Sequence, residues 1–210
     1  MNGIEATGRI VINLFTTLDG VAQAPGGRDE DTSGGFRFGG WQAPFEDEVV
    51  GGEIMSGLTR VEALLLGRRT YDIFSSYWPL HTDNPVGERY EAIPKDVATR
   101  NQSLDLPWRD STRVGDDLAA EITTIRARHR ETHVWGSLDF VQALFAEQLY
   151  DELHLWVYPV VLGEGAKVFP AGAMPSRLRL IEPPLTGASG ATLLRYAPLP
   201  GEPETGTVEA

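Results

Sequence analysis

A four-residue segment in the first half of the chain combines two guanidinium groups, a hydroxyl and a glycine: Gly67, Arg68, Arg69 and Thr70. Guanidinium and hydroxyl groups donate hydrogen bonds that suit phosphate oxygens. The segment follows the apolar run 63–66 and precedes a helix predicted at 71–77, so it lies at a helix N-terminus, where free N–H groups and the helix dipole favour an anion. The pattern therefore predicts a phosphate-binding turn. The alternative is that Thr70 is only a helix N-cap and that the arginines are surface groups.

Two more strand-to-loop junctions carry residue types that suit anions. Thr99 and Arg100 stand at the end of a short strand predicted at 96–99. Gly136 and Ser137 follow a strand predicted at 133–135, and the missing side chain of Gly136 would let a diphosphate approach the backbone. In sheets of parallel strands, ligands bind beyond the carboxyl ends of the strands. Three anion-suited junctions in one sheet therefore favour a phosphate site more than each one alone. A plain strand-to-helix turn with a serine cap is the alternative for Gly136 and Ser137.

The elements that must position these junctions are predicted from hydrophobic periodicity. Strands are expected at 9–15, 63–66, 96–99 and 133–135, and a longer strand runs from Leu153 toward Leu162. Helices are expected from Glu46 to Leu58 and at 71–77, 118–130 and 138–149. The apolar stretches 178–181 and 191–196 predict an antiparallel hairpin.

Strands that alternate with helices predict an α/β fold, with a mostly parallel central sheet flanked by helices and the antiparallel hairpin at its C-terminal end. We expect one domain over residues 1–197 and an acidic disordered tail over residues 198–210. The glycine-rich stretch 24–40 is long for a structureless connection, which is typical of a functional lid.

The composition excludes several classes of function. No apolar run approaches the roughly 20 residues of a membrane-spanning helix, and the N-terminus shows no secretion signal, so we expect no membrane partner and a cytoplasmic location. The formal net charge of −12 argues against nucleic acid as a partner. The chain has no cysteine and its four histidines show no ligand spacing, so neither disulfides nor a metal site are expected.

Several short motifs occur in an order and spacing that resemble the dihydrofolate reductase-like family, which includes the C-terminal reductase domain of the riboflavin-pathway bifunctional deaminase-reductase. The resemblance runs from about Arg9 to Tyr196. The motifs are Thr17-Leu18-Asp19-Gly20, Gly39-Gly40-Trp41 with Pro44, Leu64 to Tyr71, Tyr77-Trp78-Pro79, Thr99-Arg100, Gly136-Ser137 and the run from Asp151 to Gly165. The zinc motif of the deaminase partner requires cysteine and is absent from this chain.

The resemblance implies a reductase that binds NADPH along the open ends of the sheet and transfers a hydride to a C=N or C=O carbon of a small pterin-like or pyrimidine-like heterocycle. The implied cofactor-binding residues are Gly67, Arg68, Arg69, Thr70, Thr99, Arg100, Gly136, Ser137, Leu138, Gly163 and Gly165. The arginines suit the 2′-phosphate of the adenosine, and Thr70 suits the diphosphate. Gly163 and Gly165 fit a strand-ending turn equally well.

The substrate side is less well defined by the same resemblance. The Asp19-Gly20 turn and the following loop resemble a mobile lid over the nicotinamide. The candidate substrate-binding residues are Thr17, Gly20, Trp41 and Trp78, although the tryptophans could instead belong to the core. The substrate-binding acid of dihydrofolate reductases falls near Glu46, Asp47 and Glu48, of which we favour Asp47; the alternative is that these acids only complement the helix dipole. Asp19, Asp47 or a bound water is the expected proton source.

Two other functions fit these motifs. A catalytically silent protein, in which NADPH occupancy controls a partner or a dimer, would bind the cofactor without turnover. A purely structural dimer with vestigial turns would bind no dinucleotide. The resemblance also implies a homodimer, formed through the strand at 153–157 or through the C-terminal hairpin.

Overall fold

The computed structural model describes residues 8–101 and 103–207, which fold around one mixed sheet. Its strands are β1 (Arg9–Thr17), β2 (Ala63–Gly67), β3 (Lys95–Ala98), β4 (Ser111–Val114), β5 (Glu131–Val134), β6 (Glu152–Tyr158), β7 (Arg177–Leu180), β8 (Leu185–Thr186) and β9 (Thr192–Leu199). Its α-helices are α1 (Glu48–Arg60), α2 (Arg68–Tyr77), α3 (Pro85–Ala92), α4 (Leu118–Arg128) and α5 (Leu138–Ala146). Short 3-10 turns lie at Ser33–Gly35, Ala43–Phe45 and Trp78–Leu80.

The strand order is β4-β3-β2-β5-β1-β6-β9-β7, with β8 paired to β9. The six strands from β4 to β6 in this order are parallel, whereas β7, β8 and β9 are antiparallel to their neighbours. The predicted fold class is therefore confirmed. Strand β2 is buried along its whole length, as expected for an apolar strand covered on both faces of a parallel sheet.

The strand register brings the three anion-suited junctions to the same edge of the sheet. Gly67 at the end of β2 pairs in register with Ala98 at the end of β3, so the residues that follow these strands are neighbours. On the other side of β2, the Gly67 N–H donates to the Gly136 carbonyl at 2.9 Å. The expectation that these junctions lie together thus follows from strand pairing.

Apolar side chains cover both faces of the sheet. On one face, α4 and α5 pack on β1, β5 and β6 through residues such as Ile12, Ile125 and Leu144. On the opposite face the core is divided into two clusters. One lies beneath the glycine-rich loop around Trp41, Trp156 and Tyr158, and the other lies beneath α2 and α3 around Leu64, Leu66, Tyr71 and Tyr90.

Several predicted boundaries are wrong. Strand β6 ends at Tyr158 rather than Leu162, because Pro159 has no N–H to continue the ladder. Helix α2 begins at Arg68, three residues before the predicted start. Helix α3 and strand β4 were not expected; both are short, and β4 is a partly exposed edge strand.

The predicted tail boundary falls inside an ordered strand. Pro198 and Leu199 pair with Leu178 and Arg177, so β9 continues past residue 197. Residues 1–7 of the predicted domain and 208–210 of the predicted tail lie outside the described residues. Within the described ranges, no helix has the length and apolar character needed to cross a membrane.

Candidate active site

A cavity of about 760 Å³ lies at the carboxyl edge of the sheet. It is lined by β1 and the loop that follows it, by α1 and the segment before it, by α2 and α3, and by the turn after β5. Six of the predicted site residues line it: Arg69, Thr70, Trp78, Gly136, Ser137 and Leu138. The location agrees with the rule that ligands of such sheets bind beyond the carboxyl ends of the strands.

Two glycines allow the turns after β2 and β5 to pack directly against each other. A Cβ on Gly67 would lie 2.6 Å from the Ser137 backbone nitrogen and 2.7 Å from Phe140 Cβ. A Cβ on Gly136 would lie 2.6 Å from Thr70 Oγ1, and Gly136 has a φ of +133° that side chains rarely adopt. The Gly136–Ser137 peptide bond is cis. The two turns therefore form one joint that tolerates no side chain at either glycine.

The helices that begin at this joint differ from the other three. Asp47, Asn84 and Asp117 accept backbone N–H bonds as N-caps of α1, α3 and α4. The N-caps of α2 and α5 are Gly67 and Ser137, and neither makes a side-chain capping bond. Two sets of N-terminal N–H groups are thus left without a side-chain acceptor at the cavity, where both helix dipoles favour an anion.

This arrangement rules out the simple capping role for Thr70. Because α2 begins at Arg68, Thr70 lies inside the first turn and is not the N-cap. Its side chain faces Gly136 across the joint and lines the cavity.

The two arginines have different surroundings. Arg68 does not line the cavity; its Nε lies 2.6 Å from an oxygen of Asp72, one helical turn later. Arg69 lines the cavity, and its Nη1 donates to Asp31 Oδ2 and to Ser33 Oγ, each at 3.1 Å. Thr99 and Arg100 follow β3 beside Arg68 and also lie outside the cavity. Arg68 and Arg100 thus follow the ends of two neighbouring strands outside the cavity.

Apart from Glu46, the residues that line the opposite part of the cavity, beneath α1, were not predicted as site residues. Asn13 and Phe15 reach it from β1, and Gln42, Glu46 and Ile54 reach it from α1 and the turn before it. Of the three neighbouring acids considered as substrate ligands, Glu46 lines the cavity and Asp47 does not. No signal in the sequence indicated that Asn13 and Phe15 of β1 face a cavity.

Aromatic side chains form the wall next to α2. The rings of Phe74, Trp78 and Tyr90 lie within 5.5–6.0 Å of one another and all three line the cavity. Trp78 therefore serves both the core and the cavity wall. Trp41 does not line the cavity: its Nε1 donates to the Gln23 carbonyl at 2.8 Å, and its ring packs on Tyr158. Trp41 fits the alternative assignment to the core.

The predicted lid turn at 17–20 is held by hydrogen bonds within the turn and to the loop around residue 162. The Thr17 hydroxyl donates to Asp19 Oδ1 at 2.6 Å, and Asp19 in turn accepts the N–H groups of Leu162 and Gly163. These hydrogen bonds, led by the one from Thr17, lower the pKa of Asp19 to about 2. Asp19 therefore ties two loops together outside the cavity, contrary to its expected role as proton source.

The glycines near Asp19 serve the same loops. Gly20 and Gly163 have φ values of +85° and +75°, as tight turns require. Gly165 has a φ of +110°, and a Cβ there would lie 2.7 Å from the Phe36 ring. Neither Thr17 nor these three glycines line the cavity. Their placement fits the strand-ending turn rather than a contact with cofactor or substrate.

Asp47 also has a structural environment. It caps α1 by accepting the Val50 N–H, and it accepts hydrogen bonds from the hydroxyl and N–H of Ser189 at 2.6 and 2.9 Å. These bonds, led by the Ser189 hydroxyl, lower the pKa of Asp47 to about 2. An acid with so low a pKa is a poor proton donor near neutral pH.

A largely buried ion-pair network lies beneath α1. Two matching segments, Glu131-Thr132-His133-Val134-Trp135 and Glu152-Leu153-His154-Leu155-Trp156, flank β1 on its two sides. In each segment the histidine Nε2 donates to its glutamate, at 2.7 and 2.8 Å. Arg9 of β1 bridges the two glutamates. The Glu-x-His-x-Trp repeat is visible in the sequence, but the ion-pair network that it forms was not predicted.

No cluster of three or more His, Cys, Asp or Glu side chains in the described residues could hold a metal ion. The expectation that the protein has no metal site remains a prediction.

Comparisons with known proteins bear on the fold and the family. The sequence model of the RibD C-terminal domain matches residues 9–187 of this chain. A protein assigned to riboflavin biosynthesis in Shewanella sp. PV-4 has a similar structure, with a TM-score of 0.66, 20% identity and coverage of 91% of this chain and 99% of that one. A pyrimidine reductase-like protein from Corynebacterium diphtheriae gives 0.60 at 14% identity, with coverage of 92% and 93%.

The likeness extends to a dihydrofolate reductase from Enterococcus faecalis, whose structure is a complex with NADP(H). The TM-score is 0.55 at 14% identity, with coverage of 91% of this chain and 97% of that chain. These structures confirm the dihydrofolate reductase-like fold expected from the motifs.

Proposed function

The chain belongs to the RibD C-terminal domain family, and from this premise we propose that it is an NADPH-dependent reductase of a small pyrimidine-like or pterin-like heterocycle. The family and its dihydrofolate reductase-like neighbours support an oxidoreductase. The cofactor and the class of substrate are our proposal.

The observation that carries the proposal is the pair of helix N-termini at the Gly67 and Gly136 joint. Helices α2 and α5 both begin at the cavity without a side-chain cap, while α1, α3 and α4 are capped. A diphosphate placed against these N–H groups would satisfy donors from both helices and would interact favourably with both dipoles. We assign the diphosphate to Thr70, Gly136, Ser137 and Leu138, with Arg69 beside them.

The 2′-phosphate is assigned to the ends of β2 and β3, outside the cavity. Arg68 and Arg100 follow neighbouring strands and supply two guanidinium groups, and Thr99 supplies a hydroxyl. Arginine is suited to phosphate because its fork donates several hydrogen bonds and remains charged. NADH lacks the 2′-phosphate and would make none of these contacts, which is the physical basis for a preference for NADPH.

When bound, the dihydronicotinamide supplies the hydride, and the protein supplies position and a proton. The part of the cavity beneath α1 would hold the heterocycle against Phe15 and Ile54. Asn13 and Gln42 offer amide groups for hydrogen bonds to ring nitrogen or carbonyl groups. We assign to Glu46 the role of the acid that faces the substrate, since its side chain lines the cavity just before α1.

The preference for the phosphorylated cofactor is tested by calorimetric titration with NADPH and NADH. We expect the wild-type protein to bind NADPH at least about tenfold more tightly, since loss of charge-assisted phosphate contacts costs on this order. Arg68→Gln should remove most of that difference while leaving NADH affinity nearly unchanged. Arg37→Gln, in an exposed ion pair with Glu164 away from the cavity, is the matched control. Equal affinities in the wild-type protein would reject the assignment.

Glu46 and Asp47 form a natural pair for testing the substrate side. On whichever pterin, pyrimidine or imine supports NADPH oxidation, Glu46→Gln should lower kcat by about tenfold or more, as loss of an acid near the reacting atoms does. Asp47→Asn should instead lower the melting temperature by a few degrees, because it weakens the cap of α1, and should leave kcat nearly unchanged. A loss of kcat in Asp47→Asn, with kcat of Glu46→Gln nearly unchanged, would instead assign the substrate-facing acid to Asp47.

Two alternatives remain distinguishable. Tight NADPH binding without turnover on the whole panel would favour the catalytically silent binding protein. Absence of a thermal shift with any dinucleotide would favour a structural dimer. For the homodimer we propose the C-terminal hairpin, since β6 is paired with β1 and β9 on its two edges, whereas β7 ends the described sheet. Light scattering on the purified protein tests this assembly.

A further inference from the structure

The cavity is lined by many more acidic than basic side chains. Asp29, Glu30, Asp31, Glu46 and Asp139 line it, and Arg69 is the only Lys or Arg among the lining residues of the described chain. An anionic cofactor would therefore enter a mostly acidic cavity with one cationic side chain to receive it. Whether Arg69 is already paired with a carboxylate before the cofactor binds therefore affects cofactor affinity.

Arg69 is already occupied by a carboxylate. Its Nη1 donates to Asp31 Oδ2 at 3.1 Å and to Ser33 Oγ at the same distance. The Asp31 side chain is only 16% exposed, while that of Arg69 is 58% exposed. Asp31 belongs to the glycine-rich loop, 38 residues before Arg69 in the sequence, so this contact joins the loop to the phosphate-binding turn.

The loop holds the carboxylate in place through its own hydrogen bonds. Gln23 Nε2 donates to the carbonyl groups of Asp31 and Ser33 at 3.1 and 3.0 Å. Asp31 Oδ1 accepts the Ser33 N–H at 3.0 Å. Burial alone would raise the pKa of Asp31, but the hydrogen bonds from Ser33 and the charge of Arg69 hold the pKa below its ordinary value. The group facing Arg69 is therefore a carboxylate at neutral pH.

We propose that Asp31 is an internal competitor for the cofactor phosphate at Arg69, so that it sets cofactor affinity and couples phosphate binding to release of the loop. This inference rests on the proposed function. A carboxylate and a phosphate are both oxyanions that accept from the same guanidinium N–H groups. When a phosphate bonds to Arg69, the nearby Asp31 is repelled, and the loop loses its contact with the turn.

The test compares isosteric variants by titration with NADP⁺ and NAD⁺, both of which carry the diphosphate. Asp31→Asn keeps the size of the side chain and removes its charge. We expect it to bind both nucleotides about fivefold more tightly, since the carboxylate no longer competes for the half-exposed Arg69. Asp29→Asn is the matched control, because Asp29 also lines the cavity but has no described contact with Arg69. It removes the same charge and should change affinity much less.

Hydrogen exchange of the wild-type protein provides a second readout. Addition of NADP⁺ should increase amide exchange at 29–33, since the loop is released from Arg69. Unchanged or weakened binding by Asp31→Asn, an equal gain in Asp29→Asn, or unchanged or slower exchange at 29–33 would each overturn the inference. Ordinary binding without a gain in Asp31→Asn removes this inference alone, whereas absence of nucleotide binding to every variant removes the proposed function with it.

Discussion

Replacement of Gly67 by alanine is expected to weaken nucleotide binding strongly and to destabilise the fold. The added Cβ would lie 2.6 Å from the Ser137 backbone nitrogen and 2.7 Å from Phe140 Cβ, so backbone of one of the two turns must move. Overpacking of this kind costs about 1–3 kcal/mol of unfolding free energy. Displacement of the α2 and α5 N-termini relative to each other should reduce NADPH affinity by about 100-fold, because the diphosphate can no longer contact both.

Gly51→Ala is the control for this prediction. Gly51 lies in α1, where a Cβ would meet nothing within 4 Å. Alanine there should stabilise the helix by up to about 1 kcal/mol and leave NADPH affinity unchanged. Urea unfolding and calorimetric titration of both variants provide the two readouts. A Gly67→Ala protein that binds NADPH as the wild type does would show that the joint is not the phosphate site.

Replacement of Glu131 by glutamine should destabilise the protein by about 3 kcal/mol at pH 7, as removal of one partner from a buried ion pair does. Glu131 accepts from His133 Nε2 at 2.7 Å and pairs with Arg9 and Arg60, while its own side chain is 7% exposed. Burial alone would raise the pKa of Glu131, but His133 and Arg9 lower it to about 2. The loss should be seen as a lower urea midpoint with an unchanged slope.

The same substitution has a predictable pH dependence. The folded pKa of Glu131 lies below its ordinary value of 4.5, so its stabilising contribution is complete above that pH and is lost as the pH falls toward 2. The stability difference between wild type and Glu131→Gln should therefore shrink between pH 5 and pH 3. Glu164→Gln, in an exposed pair with Arg37, should change stability by less than about 1 kcal/mol at either pH. A difference that grows in acid would contradict this role for Glu131.

The position of the Gly67–Thr70 turn at a helix N-terminus could be predicted because its signal is local. A strand that ends in glycine and is followed by two arginines and a threonine specifies donors, charge and a helix N-terminus within a few residues. Parallel pairing of β2 with β3 and β5 then brings the other two junctions beside it, as the alternation of strands and helices predicted. These features follow from residue type and topology alone.

The residues that line the proposed substrate side could not be predicted, because the local sequence around an acid is the same whether it caps a backbone or faces a cavity. Asp19 and Asp47 both stand where loops or helices begin, and both are used there as hydrogen-bond acceptors for nearby backbone. Glu46 and Asp47 are adjacent in the sequence, and only the path of the backbone before α1 decides that Glu46 lines the cavity while Asp47 caps the helix. Likewise, the contact between Asp31 and Arg69 depends on how the glycine-rich loop folds back across the sheet edge, which no local pattern encodes.

A crystal structure of the protein with NADP⁺ tests the proposed cofactor site directly. We expect the diphosphate to lie between Thr70 and the Gly136–Leu138 turn, against the N-termini of α2 and α5, with the 2′-phosphate beside Arg68 and Arg100. The nicotinamide should extend into the cavity toward Phe15. A nucleotide bound on another surface, or an empty cavity at a saturating concentration of NADP⁺, would contradict the proposed cofactor site.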